Sequence, residues 1–273
     1  NNKVKKLPGG NDIQQTERYL FGGVVSILRE GESLGSFYLY ESNGVFSTAK
    51  EAAEAGYIDK ISKSNGGQPV AGDARWVDQN KDGVIDTKDK IIAGNPIPDF
   101  TGGLNNTFKY KGLSLDAFFQ FSKGNDVYNN FRTDLVRGFN TNYLKENLDA
   151  WKQEGDITDV PRNVLLDPAN NSEGVVARPS TRFLEDGSFI KLKTVTLTYE
   201  FPNSVLEKLK LSGLKVYAKG TNLLTITKYS GFDPEVSVAQ NNNAGQNGGF
   251  QFGIDRGLYP LSKSITLGLS LDF

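Results

Sequence analysis

The last ten residues alternate without a break. Ile265, Leu267, Leu269, Leu271 and Phe273 are large and apolar, while Ser264, Thr266, Gly268, Ser270 and Asp272 are small or polar. Successive side chains of an extended strand point to opposite faces, so a period of two predicts a strand with one apolar and one polar face. Four more segments repeat the design. Phe100 to Tyr110 sets Phe100, Leu104, Phe108 and Tyr110 against Thr101, Asn105, Thr107 and Lys109. After the two-residue turn Lys111-Gly112, Leu113 to Phe121 sets Leu113, Leu115, Ala117, Phe119 and Phe121 against Ser114, Asp116 and Gln120. A third segment, Phe189 to Phe201, opposes Val195, Leu197, Tyr199 and Phe201 to Thr194, Thr196, Thr198 and Glu200. From Leu214 to Ile226 the alternation is less regular, with Leu214, Val216 and Ala218 opposite Lys215, Tyr217 and Lys219. The chain reads as all-β and antiparallel.

Such dyad repeats fit tilted membrane strands of about ten residues. A half-buried strand of a soluble sandwich has the same period, so periodicity alone leaves both open. The terminal Phe273 favours the first, because outer-membrane barrels usually end so. The connections alternate in length. Lys111-Gly112 is short, and Pro202 to Gly213 is modest, with room for one helical turn. Leu7 to Pro98, Ser122 to Ser188 and Lys228 to Lys263 are long and polar. Long structureless loops are unusual in compact soluble domains, whereas outer-membrane barrels combine short turns on one side with long loops on the other. With Phe273 at the periplasmic side, all three long stretches face outside. Five strands cannot close a barrel, which begins at about eight. The expectation is therefore a curved, open antiparallel sheet with disordered or loosely packed loops. Two short helices are predicted in those loops. Ser47 or Thr48 caps Ala49 to Ala55, and Asn142 caps Tyr143 to Gln153, where Leu144, Leu148 and Trp151 share a face.

Composition narrows the chemistry. Among 273 residues, 31 Lys and Arg balance 32 Asp and Glu, so no basic excess points to nucleic acid. Cys and His are both absent, which removes disulfides, thiolate metal sites and every Ser-His or Cys-His nucleophile pair. The hydrophobic share of 37% is low for a self-contained core, and the chain is rich in Gly, Phe and Tyr. No apolar run approaches the roughly 20 residues of a membrane helix, so a membrane role falls to strands. Met is absent, including at position 1, and Asn1 to Gly10 is not a secretory signal; the chain reads as a fragment or a processed piece.

One motif carries specific chemistry. Asp78-Gln79-Asn80-Lys81-Asp82-Gly83-Val84-Ile85-Asp86-Thr87-Lys88-Asp89 matches the twelve-residue calcium loop. Asp78, Asn80, Asp82 and Asp86 supply oxygens at positions 1, 3, 5 and 9, and Val84 offers its carbonyl at position 7. Gly83 takes the turn at position 6 and Ile85 anchors position 8. Asp89 stands where Glu is usual, and its shorter side chain makes bidentate coordination harder. The competing reading is a Gly turn whose Asp and Asn side chains cap its own backbone. No flanking helix pair is evident, so a bound Ca²⁺ would stiffen a loop rather than work a switch. Other candidates for ligand contact are the amides of Asn241, Asn242, Asn243 and Asn247 around Gly245 to Gly249, and the rings of Trp76, Trp151, Tyr38 and Tyr40. No carboxylate pair stands out for glycoside hydrolysis, and no catalytic residue is assigned.

Several stretches, in order, resemble the end of SusC/RagA-type TonB-dependent outer-membrane transporters. They include Glu30 to Tyr38, Gly72-Asp73-Ala74-Arg75-Trp76-Val77-Asp78, Ile92 to Phe100, Gly124-Asn125-Asp126-Val127-Tyr128-Asn129 and Leu148-Asp149-Ala150-Trp151. Asp159-Val160-Pro161-Arg162, Glu185 to Lys193, Asn222-Leu223-Leu224-Thr225 and Gly231-Phe232-Asp233-Pro234-Glu235 follow. The resemblance covers essentially the whole chain. It implies a barrel of about 22 strands around a plug, a SusD-like surface lipoprotein over the mouth, and a TonB complex acting through an N-terminal region. The substrate would be an oligosaccharide or a peptide. On that template residues 1–273 are the C-terminal part of a multi-pass β-barrel, in contact with lipid in the outer membrane of a Gram-negative bacterium. Residues 1–98 are mostly extracellular loop holding the EF-hand-like segment 78–89, and residues 99–273 are the last strands and their loops. The alternative is a secreted, calcium-stabilised β-domain that binds carbohydrate.

Overall fold

A computed structural model describes residues 2–16, 24–62, 64–137, 142–164, 172–173, 176–236, 252–257 and 259–273. The chain divides into two compact units. One comprises Asn1–Ile97, Asp126–Glu185 and Val236–Gly257; the other comprises Pro98–Asn125, Asp186–Glu235 and Leu258–Phe273.

The second unit is a five-stranded antiparallel sheet. Its strands are β1 (Phe100–Tyr110), β2 (Leu113–Lys123), β3 (Phe189–Glu200), β4 (Gly213–Thr227) and β5 (Ser264–Asp272). They lie side by side in chain order. All five fall where the alternation places them. The turn between β1 and β2 is the two residues Lys111 and Gly112, both at positive φ (47° and 83°), the twist that suits a two-residue hairpin. Asn203–Leu209 forms the short helix expected between β3 and β4.

Register explains the irregular fourth strand. Phe118 pairs with Thr194 and Phe119 with Leu192, so Lys193 is skipped in the β2–β3 ladder. The β3–β4 ladder skips it as well, passing from Leu192↔Leu224 to Thr194↔Thr221. Asn222 there has φ 51°. An extra residue reverses the alternation beyond it. Ile190 and Leu192 before the bulge thereby share a face with Val195, Leu197 and Tyr199 after it. Leu224 and Ile226 on β4 join the same face, as do Leu113 and Leu115 on β2. That face is left open: Ile265 and Leu267 are each 78% exposed and Phe108 64%.

The sheet does not close. β1 and β5 are its two edges, and neither pairs with the other. This corrects the reading of the chain as a transmembrane β-barrel portion, and with it the multi-pass barrel localisation. Strand is the main regular element among the described residues, but the sheets are open. No helix among the described residues is long and apolar enough to cross a membrane.

The first unit is more structured than a sequence full of polar loops suggests. Leu7 to Pro98 contributes a four-stranded sheet of Ile13–Thr16, Val24–Leu28, Ser36–Tyr40 and Lys90–Gly94. Phe37 and Leu39 from this sheet pack with Tyr128, Val136, Phe183 and Ile254. A second cluster gathers Tyr40, Ala74, Trp76 and Ile85. Ala49–Ala53 is helical and Thr48 is its cap, accepting from the Glu51 N–H at 3.2 Å. The expected helix from Tyr143 to Gln153 shrinks to a 3-10 turn, Lys145–Asp149, because Ala150 turns extended (ψ 145°). A helix not anticipated, Asn130–Arg137, lies in the Ser122 to Ser188 stretch.

Candidate functional site

The Asp78–Asp89 loop leaves the strand Ala74–Trp76 and ends where Lys90–Gly94 begins. It reverses twice, at Lys81 (φ 59°) and Gly83 (φ 79°). The second position is where the calcium pattern demands glycine, since a side chain is strained at such φ. Beyond the turn, Val84–Ile85 runs parallel to Ile58–Asp59. Ile85 is wholly buried beside Tyr40, Ala74 and Trp76, so it anchors the loop as expected.

The ligand candidates are turned to the loop's own amides. Asp78 Oδ1 accepts from the Lys81 N–H at 2.7 Å and its Oδ2 from Gly83 N–H at 2.8 Å. Asn80 Oδ1 accepts from Asp82 N–H, and Asp82 Oδ1 from Val84 N–H. Asp86 Oδ1 takes the Lys88 N–H at 2.8 Å. Asp89 is fully buried, and its oxygens take the N–H groups of Gln79 (3.0 Å) and Asp86 (2.8 Å). Asp89 thus completes a capping box with Asp86. Among the described residues, no three acidic side chains converge as a metal site. The donor chemistry and the turn suit a hard cation; the present side-chain placement suits a self-capped turn.

Beside the loop lies a cleft of ≈ 390 Å³ lined by Phe46, Glu51, Glu54, Tyr57, Arg75 and Asp78, among others. Arg75 pairs with Glu51 at 2.9 Å and lies over Phe46, so the Glu51 carboxylate already has a partner. Tyr57 Oη accepts from the Trp76 N–H at 3.1 Å. Burial outweighs that bond and pushes the phenol up to about 12.

Three of the four aromatic candidates are built into the protein and the fourth, Trp151, is half-buried. Tyr38, Tyr40 and Trp76 are buried, and Trp151 donates its Nε1–H to Ser47 O at 3.1 Å. Asn241, Asn242, Asn243, Asn247 and Gly245 to Gly249 lie outside the described residues. Two clusters were invisible in the sequence. Arg178, wholly buried, reaches Asp59, and Lys191 reaches Asp233 and Glu235. Neither has a local pattern, because the partners are 119 and 42 or 44 residues away in the chain.

No family model matches the chain. Individual proteins do. TonB-dependent receptor P3 of Formosa agariphila is 35% identical over 274 residues, spanning all of this chain and 26% of the receptor. TonB-dependent receptor P26 of the same organism is 34% identical over 278 residues, again all of this chain and 26% of the relative. TonB-dependent receptor SusC of Bacteroides thetaiotaomicron is 26% identical over 283 residues, covering all of this chain and 23% of SusC. Among solved structures, the RagAB peptide importer in its open-open state aligns with a TM-score of 0.69 at 28% identity, covering 99% of this chain and 25% of that one. The chain spans about a quarter of the length of the curated relatives it matches.

Over its whole length the chain is similar to about a quarter of each of these TonB-dependent receptors and of the RagAB importer, and proteins of that class are transporters and not enzymes. Within that class, homology ties it to the SusC/RagA TonB-dependent receptors.

Proposed function

We propose that the chain serves in an active importer of oligosaccharides or peptides, drawing on TonB energy and working with a SusD-like surface lipoprotein. The observation that carries this reading is the alignment over 99% of the chain with the RagAB peptide importer at 28% identity. The folded first unit supports it: an exterior segment that meets a partner protein needs its own core, and this one has two clusters, around Phe37 and around Trp76. Within the same reading, Asp78, Asn80, Asp82, Val84, Asp86 and Asp89 are the proposed seat of a stiffening Ca²⁺, with hard oxygen donors and the Gly83 turn in its support.

The test is uptake. The full-length receptor and its companion lipoprotein would be returned to cells lacking both, and entry of labelled oligosaccharides and peptides followed with and without TonB. TonB-dependent accumulation of either class supports the proposal. Uptake of both classes unchanged by loss of the receptor would overturn it.

A further inference from the structure

At the start of β3, on the face away from the open apolar surface, Lys191 is buried beneath a strap of residues 229–235. Its side chain is 3% exposed. The strap is neither helix nor strand, yet Tyr229 and Pro234 within it are buried. Lys191 Nζ donates to Asp233 Oδ1 and, at 2.6 Å, to Glu235 Oε2. Lys193, the bulge residue, also reaches Glu235 Oε2 at 2.6 Å. Asp233 Oδ1 accepts in addition the Glu235 N–H at 2.9 Å, which folds the strap's end around the carboxylate. Two cations on the strand thus face two anions on the strap.

A buried ammonium is costly unless paired, and so are two carboxylates lacking a counter-charge. Lys191 can therefore lose its water only when Asp233 and Glu235 seat on it; covering and pairing are one event. On opening, water solvates both sets of charges, and their desolvation cost is returned. A strap held by leucines would expose apolar surface alone on opening; this one exposes its ions along with Tyr229 and Pro234. Burial works to raise the Asp233 carboxyl, but the Lys191 bond and the backbone N–H groups of Glu235 and Leu261 outweigh it and hold the carboxyl below its usual range.

We propose that residues 229–235 are a discrete strap, latched by Lys191 to Asp233 and Glu235, which opens and closes over the start of β3 without unpairing the sheet.

The test is hydrogen exchange on the whole chain, resolved by mass spectrometry. In the wild type, amides of 229–235 are expected to exchange at least tenfold faster than those of the β2–β3 ladder, as a local opening requires. Lys191→Met is expected to speed the strap a further tenfold or more and leave the ladder amides of 194–199 unchanged. The double variant Asp233→Asn, Glu235→Gln keeps Lys191 and should act alike, so it decides the matter if Lys191→Met does not fold. Strap and ladder exchanging at one common rate, or strap rates unmoved in the double variant, would overturn the proposal.

Discussion

Arg178 Nη1 donates to Asp59 Oδ2 at 2.8 Å, joining residues 119 apart, with Arg178 wholly buried and Asp59 nearly so. The guanidinium also lies 4.5 Å from the centre of the Trp76 ring. Asp59 holds its own turn, accepting from the N–H groups of Ile61 and Ser62. Nearby backbone ties run the same way: Tyr40 N–H donates to Pro179 O, and Ser42 N–H to Thr181 Oγ1. Arg178 thus fastens a late segment onto the Trp76 core. Arg178→Met leaves Asp59 buried with an uncompensated charge, which costs about 3–5 kcal/mol. Urea unfolding of the variant should show that loss; a change below about 1 kcal/mol, the scale of an exposed pair, would mean that the pair is solvated.

Two phenols make stability sensitive to base. Tyr57 and Tyr128 are both pushed from 10.0 up to about 12, in each case chiefly by burial. A folded pKa above the unfolded value adds stability below pH 10 that is lost as pH rises through 12. Alkaline unfolding should therefore fall in that window, together with a late step in tyrosinate absorbance. Tyr128→Phe should shrink the late step. If the variant's late step is undiminished, Tyr128 ionises while folded.

Glycine usually weakens a strand, so Gly→Ala inside one tends to stabilise. Gly268 on β5 should do the opposite. It pairs with Tyr217 on β4, and a Cβ there would run into the Tyr217 ring. Gly268→Ala pushes the ring off and loses a cross-strand contact of about 0.2–1 kcal/mol. In a Tyr217→Ala background the same substitution should raise the melting temperature. Equal effects in both backgrounds would show that the ring does not depend on the glycine.

The strands were legible because their information is local. Ile265 to Phe273 announces its face in five alternating residues, and no distant contact is needed to read it. Lys193 shows where that stops: a single bulge swaps the faces of β3, and the sequence gives only an irregular stretch on β4. Five strands were expected to leave the sheet open, and they do; the barrel to which they were assigned was the misreading. Alternation reports that a face is apolar, not what lies at the sheet's edges. The first unit was underestimated because its core is assembled from Phe37, Tyr128, Phe183 and Ile254, which are drawn from all three polar stretches. Buried Arg178 and Lys191 were unreadable, since charge in a sequence ordinarily means exposure.

The Asp78–Asp89 loop gives the sharpest remaining test, because its two readings respond differently to the same cation. As a self-capped turn, Asp78 and Asp82 accept backbone N–H groups, and calcium adds nothing to stability. As a cation seat, the same carboxylates also bind Ca²⁺, and a ligand that binds only the folded form adds about 2.7 kcal/mol at a hundredfold excess over its Kd. We expect the second outcome: a saturable rise in melting temperature with Ca²⁺, reversed by chelator. Asp82→Asn should weaken it, since it removes charge while keeping an oxygen for Val84. Asp89→Asn is the informative companion. Asp89 is buried and holds Gln79 and Asp86, so the variant should destabilise the loop even in chelator. A melting temperature indifferent to Ca²⁺ in the wild type, with Asp89→Asn still destabilising, would establish the self-capped turn and remove the cation.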